Sequence, residues 1–529
     1  MPWQIITNLE FPSGIPKFPS VEILEFLENL EFLGEKSIAK NLANLQRTFI
    51  AHNAKTGEYF AARALFCHKG IYYFFDGKDF KISKSKNELL KGIKKELDLG
   101  ALSEYLSFMS AKKSFFKSVF ELRAGEYLHY KNGKLKKGVF DSLKGVEILD
   151  CDEKNLEFLK SRILATLEKQ ISLYHSQNPC ALLSGGLDSS LLTALFARQS
   201  EQKVQAFNLA FLDAPHYDES EFARAAADFI GCKLHSVNLG KKDFLDTFYA
   251  SDFNAEPLAD SASIALRFLC EKIASHGHSV AFSAEGADEC FLGYDLYFRV
   301  LEFYRYDLPQ ARYPLISKDS EYLRRKALGL PIYGGFCEVF TRYQKELLFA
   351  DCKDFSIDEP ILEYQNDYKE LRQMRYTDFR IASEGIVARK LGAMSDLVEI
   401  KTPFFALAKL ALSLENPSPN YKPKELLKSI AKEQGLLSDE IIYRKKKGLS
   451  TPFLEWVLKE MDASSEILKA NKILGFALFS EVFVRELERK ARRGRFKQHL
   501  WSLLCFSRWL DKHFGLAKAK AAKSKMMLA

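Results

Sequence analysis

The chain has 529 residues, with 77 basic and 69 acidic side chains and a net charge of +8. Single hydrophobic cores stop growing at roughly 250–300 residues, so this length predicts at least two domains. A hydrophobic fraction of 47% with 43 Phe and 22 Tyr excludes disorder over most of the length. The mild charge gives no reason to expect a broad nucleic-acid surface.

Nine cysteines are scattered through the chain without a CxxC pair. An odd number without close pairs argues against a disulfide framework or a zinc knuckle. The N-terminus carries Glu10 and prolines where a signal peptide needs an apolar stretch, and no apolar run reaches the ~18 residues of a membrane helix. We therefore expect a reduced, cytoplasmic protein without a membrane partner.

The hydrophobic pattern changes along the chain. After a helix-like stretch at 21–33, residues 44–141 alternate in polarity between turn signals, which is typical of β-hairpins. From about 155, short apolar strands alternate with helices, which predicts βαβ units and a parallel sheet; the predicted strands are 180–183, 204–211, 233–237 and 279–282. After about 295 the pattern is mostly helical. We predict an α/β fold with a small β-rich domain over 1–145, a parallel-sheet domain with a helical C-terminal part over 155–512, and a basic tail over 513–529.

The segment SerGlyGlyLeuAspSerSer at 184–190 joins a buried strand to a helix. Gly185 and Gly186 let the backbone approach a ligand closely, and the unpaired N–H groups at the helix start favour a phosphate. A carboxylate beside phosphates repels them unless a cation intervenes, so Asp188 predicts a bound Mg²⁺. The loop contains neither the Walker pattern GxxxxGK[ST] nor the Rossmann pattern GxGxxG.

This segment resembles the pyrophosphate-binding loop of the N-type ATP pyrophosphatases, which include asparagine, GMP and NAD synthetases and certain tRNA-modifying enzymes. The resemblance implies a HUP-like fold, and a loop that binds the β,γ-phosphates of ATP while the α-phosphate is attacked. It assigns ATP and pyrophosphate binding to two loops, at Leu183, Ser184, Gly185, Gly186, Asp188, Ser189, Ser190, Ser283 and Gly286.

Other segments resemble the asparagine synthetase branch. Residues 213–231 and 255–263 are similar to two of its stretches, and PheSerAlaGluGlyAlaAspGluCysPheLeuGlyTyr at 282–294 resembles its SGEGADELFGGY loop. The resemblance assigns Asp288 to Mg²⁺ together with Asp188. It assigns Glu285 to the reacting centre, where a carboxylate accepts a proton from the attacking amine.

Two later segments extend the resemblance. Residues 398–404 are similar to LEVRxPFLD, with Lys401 in place of Arg and Ala406 in place of the final Asp; GlyAlaMet at 392–394 replaces Asp-Arg-Met. These changes affect the usual substrate pocket. Residues 444–456 resemble the R-x-K-x-G segment, in which Lys446 matches the Lys that stabilises charge on the α-phosphate.

The N-terminal region resembles part of the family's Ntn-type glutaminase domain, at 55–73, 102–108 and 122–128. In the family, the nucleophile is the Cys exposed after removal of Met1, whereas residue 2 here is Pro. We expect residues 1–145 to be a shortened remnant without glutaminase activity. The nitrogen donor is then ammonia, a separate glutaminase or another amine.

Together these features predict an ATP- and Mg²⁺-dependent carbon–nitrogen ligase that forms AMP and pyrophosphate, nominally converting aspartate to asparagine. A specialised amidation of a sugar-acid or peptide carboxylate is the nearest alternative. A tRNA-modifying adenylation enzyme and a pseudoenzyme that binds a partner are further alternatives. The acyl substrate, the nitrogen donor and the oligomeric state stay open.

Overall fold

The structure is a computed structural model, and it describes most of the chain. The described residues are 3–8, 19–30, 33–45, 47–149, 156–211, 213–250, 255–307, 309, 313–352, 355–414, 422–445 and 451–515. Lys446 and residues 516–529 of the predicted tail lie outside them. No described helix has the length and apolar character needed to cross a membrane.

The N-terminal region contains two antiparallel sheets. One has the strand order β1-β2-β3-β7-β8 and the other β5-β4-β6. These strands are β1 (Trp3–Asn8), β2 (Phe49–Asn53), β3 (Glu58–Ala62), β4 (Tyr72–Phe75), β5 (Phe80–Ser83), β6 (Val119–Glu121), β7 (Glu126–Lys131) and β8 (Lys134–Val139). Asn132 and Gly133 lie between the paired strands β7 and β8, which form one of the β-hairpins predicted for residues 44–141.

A five-stranded parallel sheet follows, with the order β11-β10-β9-β12-β13. Its strands are β9 (Cys180–Leu182), β10 (Gln205–Phe211), β11 (Lys233–Leu239), β12 (Val280–Phe282) and β13 (Glu399–Lys401). The first four correspond to the four predicted strands. The fifth, β13, was not predicted, because three residues before a Thr-Pro pair are too few to show a strand pattern.

Helices cover the parallel sheet and form the C-terminal part. The helices of the N-terminal region are α1 (Pro19–Glu28), α2 (Glu35–Leu45), α3 (Lys86–Lys91) and α4 (Leu102–Phe108). Those up to the acidic loop are α5 (Leu156–Ser172), α6 (Leu187–Gln199), α7 (Ser220–Ile230), α8 (Lys241–Ala250), α9 (Ala262–Ser275) and α10 (Ala287–Phe291).

The remaining helices run to the end of the described chain. They are α11 (Asp295–Arg305), α12 (Lys318–Ala327), α13 (Arg342–Leu348), α14 (Glu370–Glu384), α15 (Ile386–Gly392), α16 (Ala408–Ser413), α17 (Glu425–Glu433), α18 (Asp439–Ile442), α19 (Phe453–Glu460), α20 (Ala463–Leu474), α21 (Glu481–Ala491) and α22 (Lys497–Phe514). The predicted α/β class, with a helical C-terminal part and a β-rich N-terminal region, is confirmed. The domain boundaries stay predictions.

The N-terminal region packs closely on the rest of the chain. All seven residues of α4 are buried, and the Tyr105 hydroxyl donates a hydrogen bond to the Ser502 carbonyl of α22 (2.8 Å). The fully buried Arg63 guanidinium pairs with Glu121 (2.7 Å) and also reaches the Ser383 carbonyl of α14. Because these polar contacts are enclosed, the N-terminal region and the parallel-sheet region support each other.

Candidate active site

The first loop turns sharply between β9 and α6. Gly185 has φ +73°, and a Cβ there would lie 2.3 Å from the Phe222 carbonyl carbon. Only glycine fits this conformation at this distance from a neighbouring backbone. Ser184 and Ser189 hold the turn together, since their hydroxyl oxygens are 3.0 Å apart and the Ser184 N–H donates to Ser189 Oγ.

The first turn of α6 begins directly after this loop. Gly186 is the residue that precedes it, and no side chain caps the helix. The N–H of Ser190 donates to the Gly186 carbonyl (3.0 Å), and Ser190 is fully buried. Leu183 is also buried, at 1% exposure, and pairs with β10 through its N–H and the Phe207 carbonyl. Their contacts to a nucleotide stay predictions.

The second loop follows β12, which is the direct neighbour of β9 in the sheet. The Ser283 N–H donates to the Lys401 carbonyl (2.8 Å), which fixes the start of the loop to β13. Ser283 Oγ then accepts from the Glu285 N–H (3.3 Å). Gly286 has φ +97° and precedes α10, whose first turn carries Asp288. Both loops therefore leave the same edge of the sheet.

The carboxylates of Asp188 and Asp288 meet at one ammonium group, that of Lys424. Lys424 Nζ lies 2.6 Å from Asp288 Oδ1 and also contacts Asp188 Oδ2. The three side chains are largely enclosed, with 7% exposure for Lys424, 13% for Asp188 and 16% for Asp288. Burial alone lowers the pKa of the Lys424 ammonium, but the two carboxylates outweigh it and raise that pKa above its ordinary value.

The space around this ion cluster is kept free by Gly293. A Cβ at Gly293 would lie 1.9 Å from Asp288 Oδ1 and 2.4 Å from Lys424 Cε. Two carboxylates that follow different strands thus converge on the Lys424 ammonium. Oxygen ligands of this kind suit Mg²⁺, and a divalent ion bound between Asp188 and Asp288 would take the place of the Lys424 ammonium.

A second ion cluster lies beside the first. Lys390 Nζ of α15 is 2.6 Å from Glu285 Oε1 and 3.4 Å from Asp260 Oδ2. Asp260 lies just before α9, in the segment that resembles the family at 255–263. The predicted reacting carboxylate, Glu285, is therefore paired with a cation of the protein itself.

The segment containing Lys446 has both of its described flanks near these clusters. On one side, Arg444 pairs with Glu219 (2.7 Å) and its guanidinium lies 4.0 Å from the centre of the Phe222 ring, next to Gly185. On the other side, Thr451 Oγ1 is 3.2 Å from the hydroxyl oxygen of Ser261, which follows Asp260. Lys446 itself lies outside the described residues, so its role stays a prediction.

The N-terminal region forms one wall of this edge of the sheet. The Phe66 ring stacks on Phe405 with 4.7 Å between centroids, and a Cβ at Gly286 would be 2.9 Å from the Phe405 ring. His68 Nε2 lies 2.8 Å from the Thr402 hydroxyl at the end of β13. This region supports the second loop whether or not it has an activity of its own.

Two buried acids lie behind the second loop. Burial, with the Asp288 and Glu285 charges nearby, raises the pKa of Glu289 to about 8. Burial raises the pKa of Asp378 to about 7, although Tyr297 and Tyr333 donate hydrogen bonds to its carboxylate. Burial thus favours the neutral form of Glu289 near neutral pH, which reduces the negative charge close to Asp288.

Sequence reasoning identified the two loops but missed several residues that complete the site. These are Asp260, Gly293, Lys390, Thr402, Phe405 and Lys424. The resemblance covered the segments of some of them without assigning them a role. The ArgLys pair at 389–390 within the apolar residues of α15 was a usable signal for Lys390.

Comparison with known proteins finds relatives that are named asparagine synthetases or amidases. The asparagine synthetase [glutamine-hydrolyzing] 1 of Bacillus subtilis (strain 168) is 24% identical over 355 residues, which are 62% of this chain and 55% of that protein. The amidase chyE of Penicillium rubens is 25% identical over 328 residues, 57% of this chain and 48% of that protein. The putative asparagine synthetase [glutamine-hydrolyzing] of Mycobacterium tuberculosis (strain ATCC 25618 / H37Rv) is 23% identical over 503 residues, which are 87% of this chain and 75% of that protein.

This chain spans about half the length of the first two of these relatives. The family model for asparagine synthase matches residues 163–511, more than half of the chain. The match includes both loops, both ion clusters and the C-terminal helices. The chain therefore belongs to the asparagine synthase family.

Proposed function

We propose that this protein is an ATP-dependent amide ligase that releases AMP and pyrophosphate. Aspartate, which would give asparagine, is the nominal acid, and a sugar-acid or peptide carboxylate is the alternative. The observation that carries the proposal is the meeting of Asp188 and Asp288 at a single cation beside the first turn of α6. Two carboxylates from adjacent parallel strands, next to a helix N-terminus, suit a metal-bound polyphosphate. Family membership supports the same reaction class.

In the first step, a substrate carboxylate oxygen attacks the α-phosphorus of ATP. The bond between the α-phosphorus and the bridging oxygen breaks, and pyrophosphate leaves. Asp188 and Asp288 would hold Mg²⁺, which neutralises phosphate charge when bound. Ser184, Gly185, Gly186 and Ser189 enclose the pyrophosphate, and Lys446 stabilises the charge on the α-phosphate.

In the second step, a nitrogen nucleophile attacks the acyl carbon of the adenylate. The bond from the acyl carbon to the AMP oxygen breaks, and an amide and AMP are released. The nitrogen loses a proton, and Glu285 is the group we assign to accept it. Its side chain is 30% exposed, so its carboxylate remains accessible to solvent.

We propose that the nitrogen enters as ammonia or as another amine. The only cysteine in residues 1–149 is Cys67, whose 2% exposure leaves no accessible thiol for attack on glutamine. The Cys67 thiol instead lies 3.5 Å from the Lys69 carbonyl, to which it donates. A separate glutaminase could supply the ammonia.

An isotope experiment tests the chemistry directly. A panel of carboxylic acids labelled with oxygen-18 in the carboxylate is incubated with ATP, Mg²⁺ and either ammonia or glutamine. We expect one label to appear in AMP, with pyrophosphate as the co-product, and ammonia to be used in preference to glutamine. Asp188→Ala should abolish the acid-dependent ATP–pyrophosphate exchange. Formation of ADP and phosphate, or unlabelled AMP, contradicts the proposal.

A further inference from the structure

The ion cluster formed by Lys390, Glu285 and Asp260 has a composition that bears on the substrate. Its ammonium group lies between two carboxylates, at 2.6 and 3.4 Å. The side chains are 12%, 30% and 17% exposed, respectively. The cluster as a whole carries one net negative charge.

The three residues come from separate parts of the chain and meet only in the fold. Glu285 belongs to the loop after β12, Asp260 to the segment before α9, and Lys390 to the buried helix α15. Asp260 Oδ1 accepts a hydrogen bond from the Ala262 N–H (3.0 Å), which fixes its carboxylate at the start of α9. The position of each charge is therefore set by a different element.

Two partly enclosed carboxylates at this spacing are a binding site for an ammonium group. In this chain the ammonium of Lys390 already fills the site. Burial alone lowers the pKa of Lys390, but the Glu285 and Asp260 carboxylates outweigh it and raise that pKa above its ordinary value. The group is charged, and a second ammonium brought to the same place would be repelled.

We propose that Lys390 determines the substrate class, so that the activated acid carries no ammonium group on the second or third carbon from its reacting carboxylate, where aspartate and glutamate carry theirs. This inference rests on the proposed function, because it assumes that the acid lies beside Glu285. It favours a sugar-acid or peptide-like carboxylate over aspartate, whose ammonium would compete with Lys390. Lys390 is the specificity-determining residue in this view, and it takes no part in proton transfer.

The first test needs no ATP and addresses the cluster itself. Lys390→Ala removes the side chain and leaves an ammonium-sized space between the two carboxylates. We expect the thermal unfolding midpoint of Lys390→Ala to fall and to recover when ethylammonium chloride is added, relative to sodium chloride at equal ionic strength. Lys390→Met fills the same space without charge and is the matched control, which ethylammonium should not stabilise. Equal responses of the two variants, or no recovery in Lys390→Ala, overturn the proposal.

The second test uses pairs of acids that differ in the ammonium group alone, L-aspartate with succinate and L-glutamate with glutarate. Acid-dependent ATP–pyrophosphate exchange is measured for the wild type and Lys390→Met. We expect the wild type to favour the acid without the ammonium by about tenfold or more, and Lys390→Met to reverse or remove this preference. A wild type that favours aspartate over succinate overturns the inference.

The two tests separate failure of this inference from failure of the proposed function. If no acid supports exchange, the adenylation chemistry fails for these acids, and the ethylammonium result alone decides whether Lys390 fills an ammonium site. If exchange occurs without discrimination, the proposed function stands and the role of Lys390 is wrong.

Discussion

Replacing Gly293 with Ala is a sharp test of the geometry around Asp288. The new Cβ would lie 1.9 Å from Asp288 Oδ1, whereas ordinary contact begins at 3.4 Å. The carboxylate must therefore withdraw by about 1.5 Å, since a closer approach is strongly repulsive. The Lys424 side chain, at 2.4 Å, must move as well.

A shift of this size matters far more for binding and catalysis than for folding. Metal ligands tolerate about 0.2 Å of error, and a displacement of about 1 Å at a reacting centre costs about a hundredfold in rate. The φ of Gly293 lies outside the left-handed region, so alanine itself is not strained there. Reduced freedom of the unfolded chain contributes about 0.4–1 kcal/mol of stability, which offsets part of the local repulsion.

We expect Gly293→Ala to lower kcat/KM for ATP in the exchange assay by about a hundredfold, or about 2.7 kcal/mol. The variant should still fold, with a thermal midpoint below that of the wild type because the local repulsion is offset only in part. Gly34→Ala is the matched control, because no atom of the described residues lies within 4 Å of its Cβ position. It should change neither quantity. Wild-type exchange in Gly293→Ala would refute the assigned position of the metal-bound nucleotide.

Three further variants probe other parts of the account. Among the described residues, a Cβ at Gly186 meets nothing closer than Ser184 Oγ at 3.6 Å. Gly186→Ala should therefore keep wild-type stability but weaken ATP binding, measured by calorimetry, and unchanged binding argues against close approach of the phosphates there. Arg63→Met removes the buried cation beside Glu121. The free energy of unfolding should therefore fall by about 3 kcal/mol in urea titrations. An unchanged urea midpoint contradicts the account of how the N-terminal region packs. Burial, with the Lys318 charge nearby, lowers the pKa of His499 to about 3. Below about pH 6.5, His499 therefore binds a proton in the unfolded chain but stays neutral in the folded chain. The free energy of unfolding falls as the pH is lowered from there toward 3. Between pH 7 and 5, this protonation lowers the free energy of unfolding by about 2 kcal/mol. In urea titrations, the free energy of unfolding of His499→Phe should therefore fall by about 2 kcal/mol less than that of the wild type over this range. An equal fall in both proteins contradicts the assignment.

Much of the fold could be predicted because local pattern and tertiary role agree. The strands predicted at 204–211 and 279–282 appear within a residue of those bounds. Alternation of short apolar strands with amphipathic helices implies a parallel sheet whatever the side-chain details. Strand β13 was not predicted, because its three residues are too few to show an alternation of apolar and polar side chains.

The two loops could also be predicted, because strand, glycines, acid and helix start are contiguous in the sequence. Lys424 could not, since Lys422, Lys424 and Lys428 look alike in a helix-forming segment that reads as a solvated face. Lys424 is distinguished by its tertiary contacts. Its backbone is left-handed (φ +59°) and its N–H donates a hydrogen bond to the Phe291 carbonyl, which directs the side chain toward Asp188 and Asp288. Contacts across such distances in sequence leave no local pattern.

The central claim is that Asp188 and Asp288 together hold one metal–nucleotide complex. Binding of Mn²⁺·ATP, followed by electron paramagnetic resonance, tests it for Asp188→Asn and Asp288→Asn, with Glu285→Gln as the control of similar size and charge change. We predict that each Asp variant weakens binding by about tenfold or more, while the Glu285 variant binds as the wild type does. Wild-type affinity in either Asp variant would contradict the account.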